Sequence, residues 1–205
     1  MDIRLIGDIL TVCRRMDAKG LVNAFEGNIS ALQDGFIYIT PSGKNKAFLD
    51  EGMIAVLEEH SLKQAGGKFP PSSELLLHTQ SYKARADVKA VIHCHAPYLT
   101  AFALNRRPLK SRAYPEMMHV FKEIPVASYG RPGTPDIFTG AAELVEKHNA
   151  ILLANHGVLV LGRDIYDAMN RIEACESIAR VLFLAESIGK PVDLSEEECA
   201  YLLAK

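Results

Sequence analysis

Two histidines one residue apart, His93-Cys94-His95, close an apolar run from Lys89 that reads as a strand. Side chains alternate faces along a strand, so both imidazoles project to one side, where they can grip a single metal ion. Cys94 then turns to the opposite face as inert core. Read alone, the pair also fits a hydrogen-bonded or surface histidine pair. A third histidine, His156, lies in Asn155-His156-Gly157, a tight turn between the apolar runs 150–153 and 158–161. Loops at the ends of core strands are where functional side chains are usually held; a histidine capping a turn carbonyl is the other reading. Glu74 follows two serines in the first turn of a helix, where a carboxylate also complements the positive helix end. Three histidines with a displaceable group form the open pattern of catalytic zinc, whereas closed structural sites prefer cysteine. A glutamate released from the metal by substrate becomes a general base beside a Lewis acid.

Gly27-Asn28, Ser42-Gly43 and Ser72-Ser73 look built for a phosphate. Glycines let backbone N–H groups approach an anion, and hydroxyls and a helix N-terminus add donors and positive potential. Singly, each is an ordinary turn or cap. Gly43-Lys44 is not a Walker loop: Tyr38 stands where its first glycine belongs and Asn45 where its hydroxyl belongs. No G-x-G-x-x-G and no G-x-S-x-G occurs, so dinucleotide and serine-hydrolase chemistry lack support. His78 shares a helical face with Glu74, four residues on, and reads as a residue orienting Glu74 or as a buried hydrogen-bonded histidine. His60, His119 and His148 carry no assignment.

Together these motifs carry a resemblance. Gly27-Asn28-Ile29-Ser30, Thr40-Pro41-Ser42-Gly43, Pro71-Ser72-Ser73-Glu74, His93-Cys94-His95 and Asn155-His156-Gly157 follow the order and approximate spacing of the class II aldolase/adducin family, over about residues 3–200. The likeness is strongest to its L-fuculose-1-phosphate aldolase-like enzymes. It implies an α/β fold, three-layer α/β/α with a central, largely antiparallel sheet, and a cyclic homotetramer with sites at subunit boundaries. It implies zinc held by His93, His95 and His156, with Glu74 as fourth ligand when substrate is absent. It implies a phosphate seated on Gly27, Asn28, Ser42, Gly43, Ser72 and Ser73. The activity implied is reversible cleavage of a ketose 1-phosphate to dihydroxyacetone phosphate and an aldehyde. Glu74 would move protons on the dihydroxyacetone phosphate side, and Tyr114 falls where a neighbouring subunit's tyrosine is the proton donor to the aldehyde oxygen in the condensation direction. Tyr129 falls where those enzymes carry an aromatic side chain near the substrate.

Departures bear on specificity. Phe25 stands where the aldolases commonly carry a small hydroxyl residue, and the chain stops at Lys205, without the extended tail that brings a second tyrosine to some fuculose enzymes. Glu116 falls in a segment where the similar methylthioribulose-1-phosphate dehydratases use a glutamate as acid/base, so a dehydratase or a 4-epimerase on the same scaffold is the alternative reading. A non-catalytic scaffold like the adducin head is a further one, set against the presence of all four candidate ligands.

Composition frames what must position these groups. The chain has 205 residues, 48% hydrophobic and 23% charged, which excludes a disordered or collagen-like polymer and suits one domain over 1–205. The net charge of −2 argues against a nucleic-acid or polybasic membrane surface, and no apolar run is long enough to span a bilayer. The charge-interrupted start Met1-Asp2-Ile3-Arg4 is unlike a secretory leader, and Cys13, Cys94, Cys175 and Cys199 form no C-x-x-C pair; both predict a cytoplasmic protein with free thiols. Apolar spacing predicts a helix around residues 6–16 ending at Gly20, helices over 72–85, 97–104, 136–147 and 164–188, and a last one from Ser195 to Lys205. Strands are predicted over 35–40, 89–95, 124–127, 150–153 and 158–161. Residues 23–30 read as a glycine-containing stretch, 53–58 as strand or helix, and 66–71 as a loop.

Overall fold

The computed structural model describes residues 2–204. Helix α1 (Ile3–Ala18) begins where Asp2 accepts from the N–H groups of Arg4 and Leu5, and its buried stripe is Ile6, Ile9, Leu10, Cys13 and Met16, as its spacing requires. It stops before Gly20, whose φ of 68° suits glycine. Eight strands follow in one sheet: β1 (Asn28–Gln33), β2 (Phe36–Ile39), β3 (Ala55–Glu58), β4 (Gln64–Gly66), β5 (Ala90–Cys94), β6 (Val126–Ala127), β7 (Ala150–Leu153) and β8 (Gly157–Gly162). Their spatial order is β4-β3-β2-β1-β5-β8-β7-β6, and only the β6–β7 pair is parallel. The remaining helices are α2 (Leu75–Ala84), α3 (Pro97–Leu104), α4 (Asp136–Thr139), α5 (Ala142–Val145), α6 (Ile165–Ile188) and α7 (Glu196–Leu203).

Alternation along the strands sorts the core into two layers. Ile29, Ala31, Ala90, Ile92, Cys94, Val158 and Val160 pack with α1, α3 and α6 on one face of the sheet. Ile37, Ile39, Val91, Ile151, Leu153, Leu159 and Leu161 pack with Leu77 and Tyr82 of α2 and with α4 and α5 on the other. The result is a three-layer α/β/α fold with a largely antiparallel sheet. No helix of the described residues is long and apolar enough to cross a membrane.

Several elements differ from the sequence reading. The helix expected over 136–147 is two four-residue turns. They part at Gly140, which lies so close to Ser128 that a Cβ there would sit 2.2 Å from its Oγ. The glycine-containing stretch at 23–30 ends in strand β1; its polar Asn28 and Ser30 hid an inside–outside alternation whose polar face is buried. A three-residue edge strand, β4, occupies part of the segment around Gln64 and the expected loop, and the 53–58 segment, read as strand or helix, is mostly strand β3, entered from a 3-10 turn at Glu51–Met53. The expected end of the last helix at Lys205 lies outside the described residues.

Candidate functional site

The site forms where β1, β5 and the β7–β8 turn meet the start of α2. Because Cys94 faces α1 and α6, its neighbour His93 faces α2, and His95 follows one residue beyond the strand on the same side. Asn28 lies directly across from His93 in the β1–β5 ladder. His156 arrives on the β7–β8 turn, in which Asn155 takes a φ of 57°. Gly157 lets that turn close on β5: a Cβ there would stand 2.5 Å from the Cys94 carbonyl and 2.7 Å from His95 Cδ2. Glu74 is not within the first turn of α2 but is its N-cap residue, and its own N–H donates to Ser72 Oγ at 3.2 Å.

One ring nitrogen from each of His93, His95 and His156 lies within 4.8 Å of the others. The three ring centroids are 4.5 to 5.1 Å apart. Glu74 bridges two of the rings, with one oxygen 3.4 Å from His93 Nε2 and the other 3.5 Å from His156 Nε2. His93 Nδ1–H donates to the Val158 carbonyl at 2.9 Å, which leaves the Nε2 lone pair aimed into the group. Four buried polar atoms here have no hydrogen-bond partner: His93 Nε2, His95 Nε2, His156 Nδ1 and Glu74 Oε1. Native interiors rarely leave such atoms unpaired. A bound divalent cation accounts for His93 Nε2, His95 Nε2 and a Glu74 oxygen left in this state, with His156 facing the same carboxylate through Nε2, so the donor set fits a metal.

Burial holds the His93 and His156 rings neutral, the form in which imidazole ligates. Burial, then the charge of His95, pushes His93 down to about 3; burial, then the charge of His93, pushes His78 down to about 3. Burial and the charge of His93 lower His156 to about 4 against the opposing pull of Glu74. Histidines whose folded pKa lies below the unfolded value near 6.5 contribute stability that is complete above that pH and drains away as pH falls toward the folded value. The metal-free protein is therefore expected to lose about 1.4 kcal/mol per pH unit for each of His78 and His93 below about pH 6.5. Urea midpoints measured between about pH 7 and pH 5 check this; a flat profile contradicts it.

The phosphate candidates lie in adjoining segments. The Pro41–Pro71 bridge, with Ser72 N–H on the Thr40 carbonyl at 3.1 Å, sets Ser42-Gly43 beside Ser72-Ser73. Thr40 in turn bonds Ile29, next to Gly27-Asn28: its N–H donates to the Ile29 carbonyl, and its Oγ1 accepts from the Ile29 N–H at 3.1 Å. Gly27 has a φ of 73°, and a Cβ there would meet Val22 at 2.7 Å. Tyr114 is half-buried against the α1–α3–α6 core, and no hydrogen bond or ring contact joins it to the histidines among the described residues. Glu116, Tyr129 and Phe25 are exposed, Phe25 at 75%.

Sequence reasoning missed Glu26, whose carboxylate lies 3.5 Å from His95 Nδ1, and the buried pair Ser30 and Tyr82, which bond one another behind Glu74. A signal existed for the second pair. Tyr82 continues the spacing of four from Glu74 through His78, and Ser30 shares the face of Asn28.

The sequence matches the Class II Aldolase and Adducin N-terminal domain family over residues 7–183. The chain belongs to this class II aldolase family. Its relatives include the 5-methylthioribulose-1-phosphate/5-deoxyribulose-1-phosphate aldolase of Escherichia coli O45:K1, 30% identical over 204 residues that cover 99% of this chain and 95% of the relative. The L-fuculose phosphate aldolase of Methanococcus maripaludis is 32% identical over 183 residues, covering 88% of this chain and 97% of the relative. A solved L-fuculose 1-phosphate aldolase shares the fold at a TM-score of 0.90 and 30% identity, covering 100% of this chain and 96% of that one. Class II aldolases are metal-dependent lyases, in keeping with the histidine group found here.

Proposed function

We propose that this protein is a zinc-dependent aldolase that reversibly cleaves a ketose 1-phosphate to dihydroxyacetone phosphate and an aldehyde. The observation that carries this reading is the convergence of the His93, His95 and His156 rings, with Glu74 between two of them and with His93 Nε2, His95 Nε2 and Glu74 Oε1 unpartnered, beside three phosphate-type turns. His93, His95 and His156 would hold the ion, with Glu74 as its displaceable companion; three histidines and an exchangeable position suit zinc. When bound, the metal supplies Lewis-acid stabilisation of the negative charge that develops as the C3–C4 bond breaks.

The protein's own groups do the rest. The N–H donors of Gly27, Gly43 and Ser73, the hydroxyls of Ser42 and Ser72, and the second N–H of the Asn28 amide receive the phosphate and fix the sugar's reacting end. Glu74, once displaced by substrate oxygens, takes and returns the proton at the carbon that becomes part of dihydroxyacetone phosphate. On the far side of the substrate the C4 hydroxyl must give up its proton as the aldehyde forms, and the aldehyde oxygen must regain one in condensation, so a group that takes and returns that proton is needed there. Tyr114 is assigned that role from a neighbouring copy, because its own chain's histidines do not contact it. The assembly is then a homotetramer whose subunit boundaries complete each site, which light scattering checks. Four buried free thiols suit a reducing cytoplasm.

Zinc-loaded protein incubated with fuculose, ribulose and 5-deoxypentulose 1-phosphates is expected to release dihydroxyacetone phosphate from at least one, followed by a coupled reduction. Release from none overturns the reaction. Tyr114→Phe is expected to lower kcat by about 100-fold or more with KM little changed, and Glu116→Gln to leave turnover near wild type. The reverse pattern favours a dehydratase.

A further inference from the structure

Behind the carboxylate runs a buried chain of hydrogen bonds whose Asn28 and Glu74 end the proposed reaction uses and whose His78, Ser30 and Tyr82 it does not. Tyr82 Oη lies 2.6 Å from Ser30 Oγ, and Ser30 Oγ lies 2.6 Å from His78 Nδ1. His78 Nε2 meets Asn28 Oδ1, and Asn28 Nδ2 donates to Glu74 Oε2 at 2.8 Å. Ser30 and His78 are fully buried, Asn28 and Tyr82 nearly so. Each link comes from an element that can hold it. Glu74, His78 and Tyr82 recur every four residues along α2, and Asn28 and Ser30 share one face of β1.

Chemistry fixes every direction in this chain from one end. The Asn28 NH2 donates to the Glu74 carboxylate oxygen, so its carbonyl faces His78. His78 Nε2 therefore carries the hydrogen. The buried ring is neutral, so its Nδ1 is a lone pair that takes the Ser30 hydroxyl hydrogen. Ser30 Oγ, its hydrogen spent, accepts from Tyr82. Each donor points toward Glu74. The weak member is the amide, because a rotation of Asn28 by half a turn would set its oxygen against a carboxylate oxygen. A donor on His78 Nε2 excludes that orientation. The chain does not conduct protons, since the amide of Asn28 has no exchangeable lone-pair nitrogen through which one could pass.

From this geometry we infer that His78, oriented by Ser30 and Tyr82, is a positioning residue that locks the Asn28 amide with its N–H on Glu74 and thereby holds the carboxylate at the histidine triad. The inference rests on the role proposed for Glu74. Such outer partners of metal-site groups are worth about 10- to 100-fold in metal affinity or activity.

Three substitutions separate donation from mere filling. In His78→Gln the amide nitrogen reaches the place of Nε2 and can still donate to Asn28. In His78→Asn it reaches only the place of Nδ1, and His78→Leu donates nothing. His78→Asn and His78→Leu are expected to weaken zinc binding, read by chelator competition, or kcat by about 10- to 100-fold with KM little changed, while His78→Gln recovers most of the loss. Equal losses in all three, or none in any, overturn the inference. In wild-type metal-free protein, 15N NMR is expected to report His78 as the neutral Nε2–H tautomer; an Nδ1–H tautomer overturns it whether or not the variants fold. If the wild-type protein cleaves no ketose 1-phosphate, the proposed reaction falls, and the tautomer and the zinc affinities still decide the role of His78.

Discussion

Replacing His156 by alanine is expected to leave the protein folded but without stoichiometric metal, and to lower lyase activity by about a thousandfold or more. Of the three proposed ligands, His156 is best suited to this test. It stands on the β7–β8 turn with its side chain 12% exposed, whereas the His93 side chain is fully buried between β5 and α2. Removing the turn side chain opens little interior space, so circular dichroism and the unfolding midpoint of metal-free protein should stay near wild type. The loss in rate follows from what an ion contributes. Stabilising the charge released by C–C cleavage is worth several kcal/mol, and about 4 kcal/mol corresponds to about a thousandfold in rate. Elemental analysis and turnover are read together. A variant with full metal content and wild-type turnover would place the ion, or the chemistry, elsewhere.

Glu74→Gln is expected to reduce kcat by about 100- to 10,000-fold with little change in KM, because it removes a proton acceptor while keeping the shape of the site. The substituted side chain still offers an oxygen to the Asn28 amide, so the hydrogen-bond chain behind it persists. The three imidazoles remain to hold the ion, and the variant should still bind it. The half-reaction isolates the step. Exchange of the carbon-bound proton of dihydroxyacetone phosphate with deuterated water, followed by NMR without any aldehyde, is expected to slow by the same factor. Exchange at the wild-type rate would assign the proton to another group.

The layered fold was legible because long apolar stripes announce themselves. Ile6, Ile9, Leu10, Cys13 and Met16 predict α1 almost residue by residue, and the paired runs at 150–153 and 158–161 predict the hairpin carrying His156. The H-x-H spacing placed two imidazoles on one face, and the face proved to be that of α2. Strand β1 escaped because Asn28 and Ser30, polar residues that usually mark a surface, are buried there by partners far away in sequence. The broken helix over 136–147 escaped because the contact at Gly140 is made by Ser128, in the segment after β6, which no periodicity within the helix encodes. Glu26 was passed over because its contact with His95 requires the turn before β1 to fold over the end of β5. Tyr114 is a different case: the role proposed for it would depend on a second copy of the chain, which one sequence read alone does not arrange.

The pairing of β5 with β8, from Ala90 opposite Gly162 to Cys94 opposite Val158, joins chain segments about seventy residues apart and delivers His93 and His156 to the same spot. A denatured chain keeps only the His93–His95 pair close along the contour, with His156 about sixty residues further on, so it offers two of the three imidazoles and not the full set. A cation that recognises only the finished sheet stabilises the native basin by mass action. An ion that needs all three imidazoles would join after the long-distance pairing of strands and act as a latch on unfolding: saturating the protein with it is expected to lengthen the native lifetime and leave the refolding rate nearly unchanged.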